Sequence, residues 1–200
     1  MTKRVAHIIG NGDQAVLYKD QGGIKITCNV PPFHVKDVFA TFIVDFKMCK
    51  ALAEGSVKIN NPWIMAYRPR VYCEKINPAF YMRHSKQIRG FYLDLPAYAE
   101  NYTNFNCGHT ATHYTANKLK ADEIHLYGFD SLFDGNMRSY TDLVLQSDRS
   151  ANTNQKLIQN WRPIWEGIFN EFPNTQFVLH HIHGQVKLTL PDNVKVQVHK

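Results

Sequence analysis

Short apolar runs alternate with polar, glycine-punctuated segments along the chain, the pattern of an α/β protein whose strands are joined by crossover helices. VAHIIG, from residue 5, reads as a first strand, DQAVLYKDQ as a short helix ended by Gly22-Gly23, and IKITCN as a second strand. The β-branched and aromatic run from Phe39 to Val44 predicts a third strand, and Phe46 to Glu54 a helix stopped by Gly55. WIMAYR, residues 63 to 68, predicts a fourth strand. Residues 69 to 105 are rich in Pro, Asn and Tyr and lack periodicity, so they read as an irregular insertion with short helices.

Regular spelling then returns. Gly108 and Thr110 open a predicted helix running to about Lys120, and EIHLYGFD reads as a buried strand ending in Gly-Phe-Asp. Leu157, Trp161, Ile164, Trp165 and Ile168 share one face of a helix predicted from about Thr153 to Phe172, which Pro163 should kink or divide. TQFVLHHI adds a strand, and KLTL with VKVQVH alternates like a small hairpin. The pattern predicts one Rossmann-like α/β domain over residues 1–200, with a mostly parallel central sheet and helices on both faces.

Composition fits a globular chain: 44% of residues are hydrophobic and 20% charged. Met1-Thr-Lys-Arg leads into only a short apolar run, and none approaches the roughly 18 residues of a membrane span. A cytoplasmic protein without a membrane span is therefore expected. Cys28, Cys49, Cys73 and Cys107 form no CxxC pair, which argues against a zinc knuckle or a secreted disulfide framework. The net charge of +6 favours anionic partners. Basic residues between Arg68 and Arg89 interleave with Tyr67, Tyr72, Phe80 and Tyr81, a mixture that suits either a nucleic-acid groove or a solvated face.

In a doubly wound sheet, the loops at the carboxyl ends of the strands converge on one crevice. Four such ends carry candidate chemistry: Gly10-Asn11-Gly12-Asp13 after the first strand, Asn29 after the second, Asp45 after the third, and Gly128-Phe129-Asp130 after EIHLY. The helix start at Gly108-His109-Thr110 adds backbone N–H groups suited to an anion. Together they would make a nucleotide pocket, the glycines admitting phosphate and the Asn and Asp side chains holding ribose or base. Singly, Asn29 reads equally as a turn residue, Asp45 as a helix cap and Asp130 as a loop carboxylate. The dinucleotide fingerprint GxGxxG is absent, because Ala15 occupies the third glycine position. His181 and His183 in HHIHG share a strand face suited to a metal, but no neighbouring carboxylate or cysteine completes a set, so no metal site is expected. Cys107 beside His109 has the residue types of a nucleophile and base, without evidence of the geometry.

IIGNGDQAVLY, Asn29 in ITCNVPP, Asp45 in FIVDF, CGHTATHYTANKLKADEIHLYGFD and DGNMRSY together resemble the bacterial CMP-sialic acid transferases. The similarity extends more distantly to the 6-hydroxymethylpterin diphosphokinase-like nucleotide-binding proteins, and covers residues 5 to about 180. The resemblance implies a glycine loop and an Asn holding the nucleotide, Asp45 at the ribose, and Tyr140 steadying the departing phosphate. The chain departs from that pattern in two places. Leu132 or Phe133 replaces a second phosphate-binding tyrosine, with Arg138 as a substitute charge. SDRSANTNQ stands where the family's catalytic histidine belongs, leaving Asp148 or His109 as general base.

The expectation is thus a nucleotide-sugar-dependent glycosyltransferase using a CMP-sugar-like donor, an unknown acceptor, and no metal or other cofactor. Its nucleotide site would comprise Gly10, Asn11, Gly12, Asp13, Asn29, Asp45, Gly108, Thr110, Gly128, Asp130 and Arg138, and its catalytic groups His109, Tyr140 and Asp148. Two alternatives share the pocket: a non-catalytic nucleotide-binding or sequestering protein, and a magnesium-dependent diphosphokinase-like transferase. Nucleic-acid contact and homo-oligomer formation stay open.

Overall fold

The computed structural model describes residues 1–135, 138–146 and 151–200. Its centre is one eight-stranded, all-parallel sheet. The strands are β1 (Val5–Ile9), β2 (Ile24–Cys28), β3 (Val38–Ile43), β4 (Trp63–Met65), β5 (Ile88–Phe91), β6 (Glu123–Tyr127), β7 (Gln176–His181) and β8 (Val194–Val198). In space they run β5-β4-β3-β2-β1-β6-β7-β8. The order grows outward from β1 to β5 on one side, then returns to β1 and grows outward again through β8. Loops leaving β1 and β6 therefore diverge, and the crevice between them is the topological switch point of a doubly wound sheet.

Each central strand buries both faces, as parallel sheets do. Ala6, Ile8, Ile124, Leu126, Phe177 and Leu179 face one core, shared with Ala111 of α4 (Cys107–Asn117) and Trp165, Ile168 and Phe169 of α6 (Ala151–Glu171). On the other face, Ile43, Trp63 and Met65 pack on Met48, Cys49 and Leu52 of α1 (Phe46–Glu54). Burial of such large apolar side chains contributes about 1.5–3 kcal/mol each. Gly55 ends α1 in the left-handed region at φ 79°, a conformation glycine adopts without a Cβ penalty.

The expected first helix is only a 3-10 turn, Asp13–Leu17, because the flanking Gly12 and Tyr18 are extended. The insertion is more regular than its spelling suggests. It holds α2 (Tyr67–Val71), a π-helical turn (Tyr72–Ile76), α3 (Pro78–His84) and the edge strand β5. Strand β4 stops at Met65, three residues before the predicted end. Pro163 lies inside α6, which runs on through it. No hairpin closes the chain: KLTL is not a strand, and β8 pairs parallel to β7. Alternation alone does not report strand direction, and Leu188 and Leu190 instead pack as loop residues on the α4–α6 core. Two aromatics of the basic segment, Tyr72 and Phe80, are buried, while Tyr67 and Tyr81 stay exposed and stack on Tyr102 and Phe91.

Candidate functional site

The carboxyl ends of β1, β2, β3 and β6 meet the N-terminus of α4, the start of α5 (Tyr140–Val144) and one flank of α6 around a cavity of about 310 Å³. That volume is at the small end of the usual range for ligand pockets, about 300–1,000 Å³. Its wall includes Gly10, Asn11, Gly12, Asn29, Asp45, Gly108, Gly128, Asp130 and Arg138, nine of the residues expected from the sequence.

The two glycine turns are built against each other. Gly10 N–H donates to Tyr127 O at 2.7 Å, and Gly12 N–H to Gly128 O at 2.9 Å. A Cβ on Gly12 would lie 2.5 Å from an Asp130 carboxylate oxygen and 2.6 Å from Gly128 O, so the close approach of the two loops requires glycine there. Both N–H groups are thereby spent inside the protein. The glycines shape the crevice, and in this conformation these two amides do not face an anion. Asn11 is similarly committed, its amide donating to Val30 O at 2.7 Å.

The first turn of α4 offers a better anion position. Asn106 caps it by accepting from His109 N–H at 2.9 Å, and His109 Nδ1 accepts from Asn106 N–H at 3.1 Å. Thr110 N–H already bonds Asn106 O. Cys107 and Gly108, two of the first-turn residues whose N–H groups a helix leaves open, line the cavity, where the helix dipole favours negative charge.

His109 is a structural residue in this arrangement. It is fully buried, its Nε2 lies 3.2 Å from Trp161 O, and desolvation pushes its pKa down to about 3. With both ring nitrogens engaged and no face on the cavity, it is not placed to act as a base. Thr110 turns its hydroxyl to Asn106 O at 2.9 Å and also lies off the wall. Tyr140 contributes its N–H, donated to Asn11 O at 2.9 Å, while its neighbours Ser139 and Thr141 line the cavity. Asp13 holds Arg138 at 3.0 Å from just outside the wall. Asp148 falls outside the described residues. Cys107 is buried, its thiol donates to Phe42 O at 3.0 Å, and burial beside Cys28 drives its pKa well up, which disfavours a thiolate nucleophile.

Four wall residues carry a buried polar side-chain atom with no hydrogen-bond partner among the described residues: Asn29 Oδ1, Asp130 Oδ1, Thr141 Oγ1 and Trp161 Nε1. Buried polar atoms are ordinarily paired, because an unpaired one costs about 1–3 kcal/mol. Asn29 also sits at φ 51°, in the left-handed region where a non-glycine residue is uncommon. Desolvation and the nearby Asp13 and Asp134 carboxylates raise the Asp130 pKa to about 6, although Gln14 N–H, 3.3 Å from its Oδ2, opposes the shift. Asp45 occupies the N-cap position of α1 without capping it, and pairs instead with Arg68 at 2.7 Å across the wall. Sequence reasoning missed Arg68, Ser139, Thr141 and Trp161 as wall residues. Trp161 was visible only as part of the apolar stripe of α6, whose upper end, Leu157 and Trp161, lines the cavity while Ile164, Trp165 and Ile168 enter the core.

For HHIHG, the premise that no carboxylate stands nearby is corrected. Asp134, 47 residues upstream of His181, lies within 3.3 Å of His181 Nε2 and 3.2 Å of His183 Nε2, completing a set of three ligating groups that local sequence did not reveal.

The fold and crevice define an all-parallel, doubly wound α/β protein with a ligand-sized cavity at its switch point. No known family, curated protein or solved structure matches the chain. Among the described residues, no helix is long and apolar enough to cross a membrane.

Proposed function

We propose that the crevice binds a nucleotide, and that the chain is a sialyltransferase-like glycosyltransferase drawing on a CMP-sugar-type donor. The observation that carries the proposal is the set of unpartnered polar atoms on Asn29, Asp130, Thr141 and Trp161 around a switch-point cavity. A nucleotide offers complementary groups: ribose hydroxyls and a base edge for the oxygens, and acceptor oxygens for the indole N–H. Its phosphate would lie at the Cys107 and Gly108 N–H groups, with Arg138 released from Asp13 to meet it.

Asp130 replaces His109 and Asp148 as the proposed general base, since a carboxyl titrating near 6 is suited to exchanging a proton at neutral pH. In the proposed step an acceptor hydroxyl gives its proton to the Asp130 carboxylate while its oxygen bonds to the sugar's anomeric carbon. The bond from that carbon to the phosphate oxygen breaks, and the helix start and Arg138 stabilise the departing anion. A nucleotide-binding protein without turnover is the second reading, favoured by the positions of His109 and Tyr140 off the wall.

Thermal denaturation with CMP, UMP, AMP, GMP and their sugar conjugates tests the proposal, because a ligand of the folded state raises the midpoint by mass action. A cytidine-selective rise, lost in Asn29→Gly, together with slow CMP release from a CMP-sugar, is the expected result. A rise without CMP release favours the binding protein, and no rise with any nucleotide removes the nucleotide reading.

A further inference from the structure

Outside the crevice, the loop after β6 and the end of β7 bring together Asp134, His181 and His183, with one ligating atom from each inside a 4.8 Å span. We propose that these three side chains bind a divalent transition-metal ion of the zinc class, and that the ion staples the β6 loop to the β7 end. The inference is independent of the nucleotide reading, since none of the three residues lines the crevice.

Spacing is the first argument. Zinc sits about 2.0–2.1 Å from imidazole nitrogen and carboxylate oxygen, so the corners of a tetrahedral site lie about 3.3 Å apart. His181 Nε2 lies 3.3 Å from Asp134 Oδ2 and His183 Nε2 3.2 Å from Asp134 Oδ1, so the two imidazoles approach different oxygens of one carboxylate at that spacing, and one ligating atom from each of the three residues fits within 4.8 Å. A missing partner marks the same place. His181 is 1% exposed, yet its buried Nε2 has no hydrogen bond among the described residues, because the approach to Asp134 is close without being aligned. A buried nitrogen left unpaired, with a carboxylate and a second imidazole beside it, becomes a metal ligand once its proton moves to Nδ1.

The surroundings hold these groups in place. Phe133 stacks on the His181 ring at 4.0 Å, Lys187 N–H ties the loop at Leu132 O, and Arg162 holds Ser131 O at 2.8 Å. Asp134 and His183 are partly exposed, which gives an ion a path in and leaves a fourth position to solvent. Entry has a specific proton cost. His181 Nδ1 accepts from His183 N–H at 3.2 Å and His183 Nδ1 from Gln185 N–H at 3.3 Å, so each metal-free neutral ring keeps its proton on Nε2, toward Asp134. Ligation moves each ring proton from Nε2 to Nδ1 and opens these two long backbone contacts.

The test is titration of the untagged, full chain with zinc chloride by calorimetry at pH 7.5, followed by visible spectroscopy of the cobalt(II)-loaded chain. One equivalent should bind, with the intense visible bands of tetrahedral cobalt. The chain has ten histidines, so the variants decide where the ion lies. His183→Ala and Asp134→Asn alter partly exposed loop side chains and are expected to fold, which circular dichroism verifies; each should weaken zinc at least roughly 30-fold. Retained affinity in either folded variant, or wild-type affinity weaker than about 10 μM, overturns the proposal.

Discussion

Two polar regions of the sheet invite comparison: the crevice at its carboxyl edge and a row of histidines across one face. His7, His125, His180 and His199 come from β1, β6, β7 and the end of β8, on the face opposite the α4–α6 core. Glu123 Oε1 accepts from His125 Nε2 at 2.6 Å. His125 Nδ1 and His180 Nε2 are 2.8 Å apart, and His180 Nδ1 and His199 Nε2 are 2.7 Å apart. If each ring donates from Nε2 and accepts at Nδ1, the whole row is satisfied in one direction. His7 joins through Tyr127 Oη at 3.1 Å. The crevice has the opposite character, with four wall residues that each carry a buried polar atom lacking a partner among the described residues. Along the row the buried polar side chains pair with each other, whereas in the crevice four wall side chains are left without a partner among the described residues, as Tyr18, Thr112 and Trp165 are elsewhere.

The largest expected effect comes from breaking the row. His125→Ala removes its middle ring, taking a partner from Glu123 and stranding His180 Nε2. The expected loss is about 3 kcal/mol in urea denaturation at pH 7.5, combining lost packing with unpaired buried groups. A loss below about 1 kcal/mol would show that the row is no more structural than the crevice.

Asp130 separates the regions by pH. Its folded pKa, about 6, lies above the unfolded value, so the folded chain binds this proton more tightly. The group therefore favours folding at low pH, and that contribution is lost as pH rises from about 4 through 6. Asp130→Asn should exceed wild type in stability by about 2–3 kcal/mol at pH 8 and match it near pH 4. Burial pushes the pKa of His7 down to about 4 and of His180 to about 3, which costs stability as pH falls below the ordinary histidine range. Those contributions are common to both proteins, so the difference between variant and wild type isolates the carboxylate. Equal stabilities at pH 8 would mean that the carboxylate is not held at a cost.

The sequence carried the strands that face the core because short, mostly apolar runs bounded by turn residues, as in VAHII and EIHLY, are how buried parallel strands are spelled. It also carried the crevice outline, since turn residues at strand ends must converge in this topology. It did not carry β5, whose IRGF is a partly buried edge, or the direction of β8, which depends on the long connection from β7. Nor did it distinguish which side of each turn faces the cavity. His109 reads as a reactive neighbour of Cys107 in one dimension, but helical geometry turns it inward to complete a capping box. Asp134 and His181 meet only because β6 and β7 are adjacent in the sheet.

The smallest stability effects are expected where the crevice is most sharply defined. Asn29→Gly removes the unpartnered Oδ1 and relieves a backbone at φ 51°, so loss of side-chain contacts and relief of strain should offset to within about 0.5 kcal/mol. Trp161→Phe removes the unpaired indole N–H while keeping an aromatic ring beside Leu157, and should be similarly neutral. Neutral stability combined with at least a roughly tenfold loss of nucleotide affinity is the signature of a group kept for a ligand. The opposite result, destabilisation comparable to His125→Ala with binding intact, would place Asn29 and Trp161 with the histidines as structural groups and erase the contrast between the two regions.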